Sequence, residues 1–162
     1  MNFDTAKSET TSNAGAELLS VLIGDHDFAI DIMSVREIRG WIASTPLPHA
    51  PSYIKGMINL RGVILPIIDL AERLNFPVKE PSGSSVVVVV ETAGGIVGML
   101  VDAVSDIITV TDDMIQATPK TGSGVQGEMV SGLITLDSRI VGIISIDAIM
   151  PAGMVLTEVL AA

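Results

Sequence analysis

The 162-residue chain contains no cysteine, so neither a disulfide bond nor a thiolate metal site is available to it. Aromatic residues make up only 3% of the sequence, which argues against surfaces that bind bases or sugars by stacking. No apolar run approaches the roughly 18 residues that a membrane-spanning helix needs. The N-terminus has no basic stretch followed by an apolar one, so we predict no signal peptide. These absences predict a cytoplasmic protein without direct membrane insertion.

Basic residues are scarce as well. Nine of them stand against nineteen acidic residues, which gives a net charge of −10. Such a chain repels nucleic acid, because phosphate binding requires clustered lysine and arginine. Four of the nine basic residues nevertheless fall within a short stretch of the first half, namely Arg36, Arg39, Lys55 and Arg61. We therefore expect no nucleic-acid partner and one localised basic patch.

Patterns that carry catalysis are also missing. Neither His26 nor His49 has a glutamate or cysteine at metal-ligand spacing, and no phosphate-binding or nucleophile-elbow motif occurs. Asp31, Asp69 and Asp102 follow apolar strands, but none lies in an Asp-Thr-Gly or Asp-Ser-Gly sequence. We predict no cofactor, no metal and no enzymatic activity. A small β-barrel aspartic hydrolase with paired carboxylates stays open as an alternative from another class.

The sequence is rich in β-branched residues, and its most informative stretch is Gly56–Leu70. It predicts two apolar strands, Met57–Leu60 and Val63–Ile68, joined by a tight turn at Arg61-Gly62. Glycine tolerates the positive φ that such turns need, and a long cation is left at the tip. At this point Arg61 is either a solvated surface cation or part of a contact surface.

An internal repeat supports two similar subdomains. Residues 56–70 match residues 132–146 at six of fifteen positions, and a weaker similarity relates 28–38 to 97–107. Two turn-rich copies of about five strands each predict two small barrels, since closure removes exposed strand edges. In the second copy Asp137-Ser138 replaces Arg61-Gly62. Because both turns are chemically adequate, folding alone does not demand an arginine there.

The predicted organisation has five parts. They are a disordered tail over 1–16, a first barrel over about 17–76, a linker over about 77–85, a second barrel over about 86–150 and a short C-terminal helix within 151–162. Within the first barrel, Ser34 is a candidate N-cap for a helical turn over Val35–Ile38.

Four stretches are informative in combination: VREIRGW at 35–41, YIKGMINLRGVILPIIDL at 53–70, VGMLVDAVSDII at 97–108 and SGLITLDSRIVGIISID at 131–147. Together they resemble the CheW family of bacterial chemotaxis coupling proteins. The resemblance covers about residues 17–150. The coupling domain of CheV and the regulatory domain of CheA share the pattern, but the sequence contains no receiver or kinase domain, which favours a free coupling protein.

The resemblance implies a mostly β fold of two SH3-like five-stranded barrels, with short helices in the connections and at the C-terminus. It implies a non-enzymatic scaffold that holds the regulatory domain of the histidine kinase CheA against the cytoplasmic tips of methyl-accepting chemoreceptors, within membrane-associated arrays. An adaptor of the same fold in a non-chemotaxis pathway is the alternative. The receptor groove implied by the family motif comprises Val35, Glu37, Ile38, Gly56, Asn59, Arg61 and Val104. Arg36, Arg39 and Lys55 form a candidate supporting basic patch.

Overall fold

The computed structural model describes residues 15–42, 44–46, 48–77, 83–116 and 129–149. These ranges form ten strands, two short helices and two 3-10 turns, at Ile32–Ser34 and Asp112–Met114. No helix in them is long and apolar enough to cross a bilayer. In chain order the elements are β1 Ala16–Ile23, β2 His26–Asp31, β3 Val35–Gly40, β4 Ile54–Leu60, β5 Val63–Asp69, α1 Leu70–Arg73, β6 Val86–Thr92, β7 Gly95–Val101, β8 Ala103–Val110, β9 Val130–Leu136, β10 Arg139–Ile144 and α2 Ile146–Ile149.

The strands build two five-stranded sheets, which confirms the predicted mostly β architecture. Sheet A has the strand order β8-β1-β2-β10-β9, and sheet B has the order β3-β6-β7-β5-β4. Each sheet contains one parallel pair, β2 with β10 in sheet A and β5 with β7 in sheet B. The remaining pairs are antiparallel. The two sheets therefore repeat the same arrangement.

The strand order contradicts the predicted barrel boundaries of about 17–76 and 86–150. Sheet A combines β1 and β2 with β8, β9 and β10, and sheet B combines β6 and β7 with β3, β4 and β5. The two copies have thus exchanged their first two strands. The length of the connection explains why. If β8 paired with β6, it would run parallel to β7, and two consecutive parallel strands need a connection of a dozen or more residues. Only Asp102 separates β7 from β8, so the chain crosses to the other sheet instead.

Strand β6 shows how the sheets pack. Its consecutive valines point alternately to opposite faces, as a strand requires. Val87 and Val89 belong to an apolar cluster on one face of sheet B, whereas Val88 and Val90 belong to a core that sheet B shares with sheet A. Sheet A has a corresponding cluster of its own. Because both faces of β6 are buried, its sequence shows no polar alternation.

The repeated segments form equivalent hairpins, β4–β5 and β9–β10. Each has a two-residue turn in which both residues take positive φ: 53° and 89° at Arg61 and Gly62, and 47° and 71° at Asp137 and Ser138. Positive φ at both turn positions is the geometry that matches the twist of a hairpin. The predicted hairpins and their turns are confirmed.

Other boundaries differ from expectation or fall outside the described ranges. Ala16, assigned to the tail, already belongs to β1, while residues 1–14, most of the predicted linker and the predicted helix within 151–162 lie outside those ranges. The predicted helical turn over Val35–Ile38 is wrong, because these residues begin β3. The turn comes earlier, at Ile32–Ser34, where the Asp31 carboxylate accepts a hydrogen bond from Met33 N at 3.0 Å.

Candidate protein-interaction site

The tip of the β4–β5 hairpin presents Arg61 to solvent. Its side chain is 69% exposed, and the Asn59 side-chain oxygen fixes the turn by accepting a hydrogen bond from Gly62 N at 2.9 Å. The Arg61 guanidinium donates a short hydrogen bond to the Glu37 carboxylate on β3. The structure thus brings together three of the predicted site residues from two segments of the sequence, Glu37 on β3 and Asn59 and Arg61 in the β4–β5 hairpin.

Glu37 lies between two arginines. Arg39 Nη1 donates to the second Glu37 oxygen at 3.2 Å. The hydrogen bond from Arg61 is the main effect that holds the pKa of Glu37 below its ordinary value; partial burial opposes it, and Arg39 adds to it. The same contact raises the pKa of Arg61. The Glu37 carboxylate is therefore ionised at neutral pH and the cluster carries a net positive charge.

The contact between Glu37 and Arg61 indicates how sheet B is curved. Strands β3 and β4 are the two outer strands of sheet B, yet Glu37 on β3 contacts Arg61 at the end of β4. Sheet B must therefore curl until its outer strands approach each other, as expected for the barrel-like shape the sequence predicted. Such a contact between two exposed elements makes the hairpin tip part of one surface with β3.

Ile38, Val35 and Val104 are placed differently from these polar residues. Ile38 is 46% exposed on β3, beside the Glu37–Arg61 pair in sequence. Val35 on β3 and Val104 on β8 are half-buried and pack against the core that the two sheets share. Their positions correspond in the internal repeat. The two valines therefore lie at the junction of the sheets, and Ile38 is the apolar member of the predicted set that faces solvent.

Gly56 is buried, and its contacts are internal. A Cβ at this position would stand 2.4 Å from Thr45 O, and the glycine has φ +150°. The missing side chain lets Thr45 cross β4, where it pairs with Met57 through hydrogen bonds of 2.9 and 2.7 Å. Gly132, its equivalent in the repeat, similarly accommodates the segment that pairs with Leu133. The structure gives Gly56 a supporting position rather than an exposed one.

The three members of the candidate basic patch are all engaged. Arg36 donates to Glu91 at 3.0 and 2.6 Å, and Arg39 donates to Glu37. Lys55 Nζ lies 3.6 Å from Asp69 Oδ2 and 3.2 Å from a Glu72 oxygen. These pairings leave a patch of compensated charge rather than three free cations. Glu37 and Arg39 share a face because they are two residues apart on strand β3, a placement that the predicted helical turn over Val35–Ile38 did not give.

Lys55 belongs to a separate, half-buried polar cluster at the base of the hairpin. Asp69 is 5% exposed and accepts hydrogen bonds from Ala71 N at 3.1 Å and Glu72 N at 3.3 Å, which makes it the N-cap of α1. Burial raises the pKa of Asp69. A hydrogen bond with Ser52 is the main cause that lowers the pKa of Glu72, and Lys55 contributes. This cluster ties β4 and β5 to α1.

The carboxylates that a hydrolase would need have structural contacts instead. Asp31 caps the Ile32–Ser34 turn, Asp69 caps α1, and Asp102 Oδ2 accepts a hydrogen bond from Gly24 N at 2.6 Å. Within the described ranges, no group of three or more histidine, aspartate or glutamate side chains could hold a metal ion. Each of the three carboxylates binds a backbone N–H, which is the role that caps and turns require.

Comparison with known proteins identifies a family with this architecture. The family model described as the CheW-like domain matches residues 17–153. The chain is 42% identical over 148 residues to the chemotaxis protein CheW of Rhizobium meliloti, covering 91% of this chain and 96% of that protein. It is 47% identical over 133 residues to a probable chemotaxis protein CheW of Rhizobium etli, covering 82% and 86%.

A solved structure agrees with the sequence relatives. The scaffolding protein TtCheW from Thermoanaerobacter tengcongensis superposes with a TM-score of 0.80 at 27% identity, covering 88% of this chain and 93% of that one. The family consists of chemotaxis scaffold proteins rather than enzymes, which confirms the prediction of a non-enzymatic protein. From its sheet architecture, its repeated hairpins and these similarities, the chain belongs to the CheW-like family.

Proposed function

We propose that this chain is a cytoplasmic adaptor that couples methyl-accepting chemoreceptors to the regulatory domain of the histidine kinase CheA within receptor arrays. Membership of the CheW-like family supports the scaffold role. The observation that carries the receptor part is the exposed Arg61, which contacts Glu37 on β3, because the otherwise equivalent second hairpin has Asp137-Ser138 in place of Arg61-Gly62. A residue that differs between duplicated turns of the same geometry is free to serve binding rather than folding.

The receptor surface comprises the exposed parts of β3 and the β4–β5 tip. Ile38 supplies an apolar contact, and the Arg61 guanidinium can exchange part of its bond with Glu37 for a carboxylate or carbonyl of a receptor helix, since arginine presents several donors in a planar fork. Asn59 fixes the turn that carries Arg61, and Gly56 supports the strand beneath it. Val35 and Val104 define the floor where the sheets meet.

The kinase uses a different part of the molecule in this proposal. If the two partners bind separate surfaces, a substitution at the hairpin tip affects one and spares the other. The Arg61–Glu37 pair contributes little to stability, because water screens the attraction between side chains that it can reach. A variant at Arg61 therefore stays folded and reports on binding.

The test is the variant Arg61→Glu, with Asp137→Arg as its matched control. Asp137 is an exposed residue that occupies the position of Arg61 in the equivalent β9–β10 turn, so the control also reverses the charge at a hairpin tip. Binding to the cytoplasmic fragment of a chemoreceptor and to the CheA regulatory domain, both from the same genome, is measured by calorimetry. We expect Arg61→Glu to weaken receptor binding at least about tenfold, as for an interface arginine worth more than 1.4 kcal/mol, and to leave kinase binding unchanged.

The control should bind both partners as the unmodified chain does. Equal receptor affinity for Arg61→Glu and the unmodified chain would remove Arg61 from the site. Failure of the unmodified chain to bind either partner, combined with co-purification of a different sensor and kinase, would support the non-chemotaxis adaptor instead.

A further inference from the structure

The β1–β2 hairpin lies in sheet A in a slot between two strands, β8 and β10, that both come from the other half of the chain. Strand β1 pairs with β8 in register from Ala16 opposite Val110 to Leu22 opposite Ala103. Strand β2 runs parallel to β10, from Asp27 opposite Val141 to Ala29 opposite Ile143. The hairpin connects to the sheet in which its own chain continues only through the three residues Ile32–Ser34.

Specific polar contacts fix the hairpin in this slot. Asp102 Oδ2 accepts a hydrogen bond from Gly24 N at 2.6 Å, and Asp102 N donates to Leu22 O at 3.0 Å. Asp27 pairs with Arg139 at 3.1 Å. A register shift between Ser20 and Val21 adds a shape that the opposing strand must match. The slot therefore recognises this hairpin by register, bulge and charge, and none of these contacts depends on the two sides belonging to one chain.

We propose that a second copy of this chain can take the place of the first in this contact, through reciprocal exchange of residues 16–31 between two chains. The result is a two-fold symmetric dimer that keeps every pairing described above. Only the Ile32–Ser34 turn changes conformation. That turn is held by the Asp31 cap on Met33 N, and the Met33 side chain is 87% exposed. Exchange of an identical element is a low-cost route to dimers when a short hinge joins it to the rest.

The fold already contains one such exchange. The β6–β7 hairpin lies between β3 and β5 in the same way that β1–β2 lies between β8 and β10. Each half of the chain thus completes the sheet of the other half. In the proposed dimer, the β1–β2 hairpin of a second molecule completes the sheet in the same way. Seven apolar residues of β1 and β2 are buried, so the hairpin must leave its place in sheet A before it can be exchanged. Dimers therefore form during folding at high concentration and then persist. The seven are Leu18, Leu19, Val21, Ile23, Phe28, Ala29 and Ile30.

The absence of cysteine allows a direct test. Glu17 on β1 and Thr109 on β8 are exposed register partners, so Glu17→Cys with Thr109→Cys places two thiols side by side across the pair. The double variant is unfolded, refolded at high and low concentration, and separated by size exclusion with light scattering. A species of twice 16.9 kDa is then oxidised and run on a denaturing gel without reductant.

In an exchanged dimer the disulfide joins two chains, and the denatured product runs at the dimer mass; the monomer fraction gives only intrachain bonds. We expect the dimer fraction to rise with refolding concentration. Dimers whose disulfides are all intrachain would overturn the proposal, since the contact would then be an ordinary surface association. Monomers alone at every refolding concentration would overturn it as well.

A hinge variant provides a second measurement. Deleting Met33 and Ser34 shortens the connection so that one chain reaches both sheets only with strain, whereas a Gly-Ser insertion after Ser34 relaxes it. We expect the deletion to raise the dimer fraction at least tenfold over the insertion variant at equal concentration. A folded, fully monomeric deletion variant would contradict the exchange. If the deletion variant does not fold, the disulfide test on the chain with an unaltered Ile32–Ser34 turn decides.

Discussion

Replacing Gly56 with alanine should destabilise the protein strongly, although the change adds only one methyl group. The new Cβ would stand 2.4 Å from Thr45 O and 2.8 Å from Thr45 C, which are backbone atoms that cannot rotate away. Overpacking of this kind costs about 1–3 kcal/mol. The glycine φ of +150° adds a backbone cost of about 1–3 kcal/mol for a residue with a side chain. We expect a loss near 3 kcal/mol.

Thermal and urea unfolding measure this loss. For a chain of this length, a loss of 3 kcal/mol lowers Tm by about 6–12 °C. Gly94→Ala is the matched control, because its Cβ would meet only Thr92 Oγ1 at 3.8 Å and its φ is not positive. We expect Gly94→Ala to stay within about 0.5 kcal/mol of the unmodified chain.

The same pair of variants separates support from contact. If Gly56 acts by letting Thr45 cross β4, receptor affinity lost in Gly56→Ala should accompany lost stability. A Gly56→Ala protein with an unchanged unfolding midpoint would refute the packing argument, and the loss of receptor binding in such a protein would identify Gly56 as a direct contact.

Two further predictions concern polar contacts. Because burial raises the pKa of Asp69, the folded protein holds the carboxyl proton more tightly than the unfolded chain does. The stability that this carboxyl contributes therefore falls as the pH rises from its ordinary pKa of 3.8 through the folded pKa. The free energy of unfolding, measured with urea across this pH range, should fall less steeply for Asp69→Asn, and an unchanged slope would contradict the assignment. Arg73→Met removes hydrogen bonds to Ile149 O at 2.6 Å and Ala148 O at 3.3 Å and a stacking contact 4.6 Å above the Tyr53 ring, so we expect a loss of about 2 kcal/mol in urea unfolding; a midpoint equal to that of the unmodified chain would show that these carbonyls find other partners.

Local features of the fold were predictable from the sequence. The β4–β5 and β9–β10 hairpins carry two-residue turns between apolar runs, and this signal depends only on neighbouring residues. The N-cap role of Asp69 is equally local. The repeat predicted two similar units because the same spacing recurs in both halves.

The pairing of the strands was not predictable in the same way. Strand β6 is buried on both faces, so a run of valines identifies a strand but carries no information about which strands flank it. The decisive fact is the single residue between β7 and β8, and its importance emerges only when the order of strands is considered as a whole. Without it, a division of the barrels by sequence halves is the simplest interpretation.

Strand β3 misled sequence interpretation for a different reason. Along β3 the half-buried positions include Val35, Glu37 and Arg39, while Ile38 faces solvent. This is nearly the reverse of the usual pattern, and the register shift between Val35 and Glu37 disturbs it further. Charged residues can occupy the inward positions because the charge of Glu37 is balanced by Arg39 and by Arg61. Arg61 lies 24 residues away in the sequence, so local pattern does not reveal it. A reversed pattern of this kind is typical of surfaces that serve binding.

The exchange of strands between the two halves also constrains how the protein is made. Sheet A cannot form until β10, which ends at Ile144, has left the ribosome, because β2 pairs with it. Sheet B waits for β7, since β5 pairs with it. For most of its synthesis the nascent chain therefore carries apolar strands whose partners do not yet exist, which exposes it to aggregation. Folding of this protein should begin late in translation, and a chaperone that covers the first two strands would benefit it more than one that acts after release.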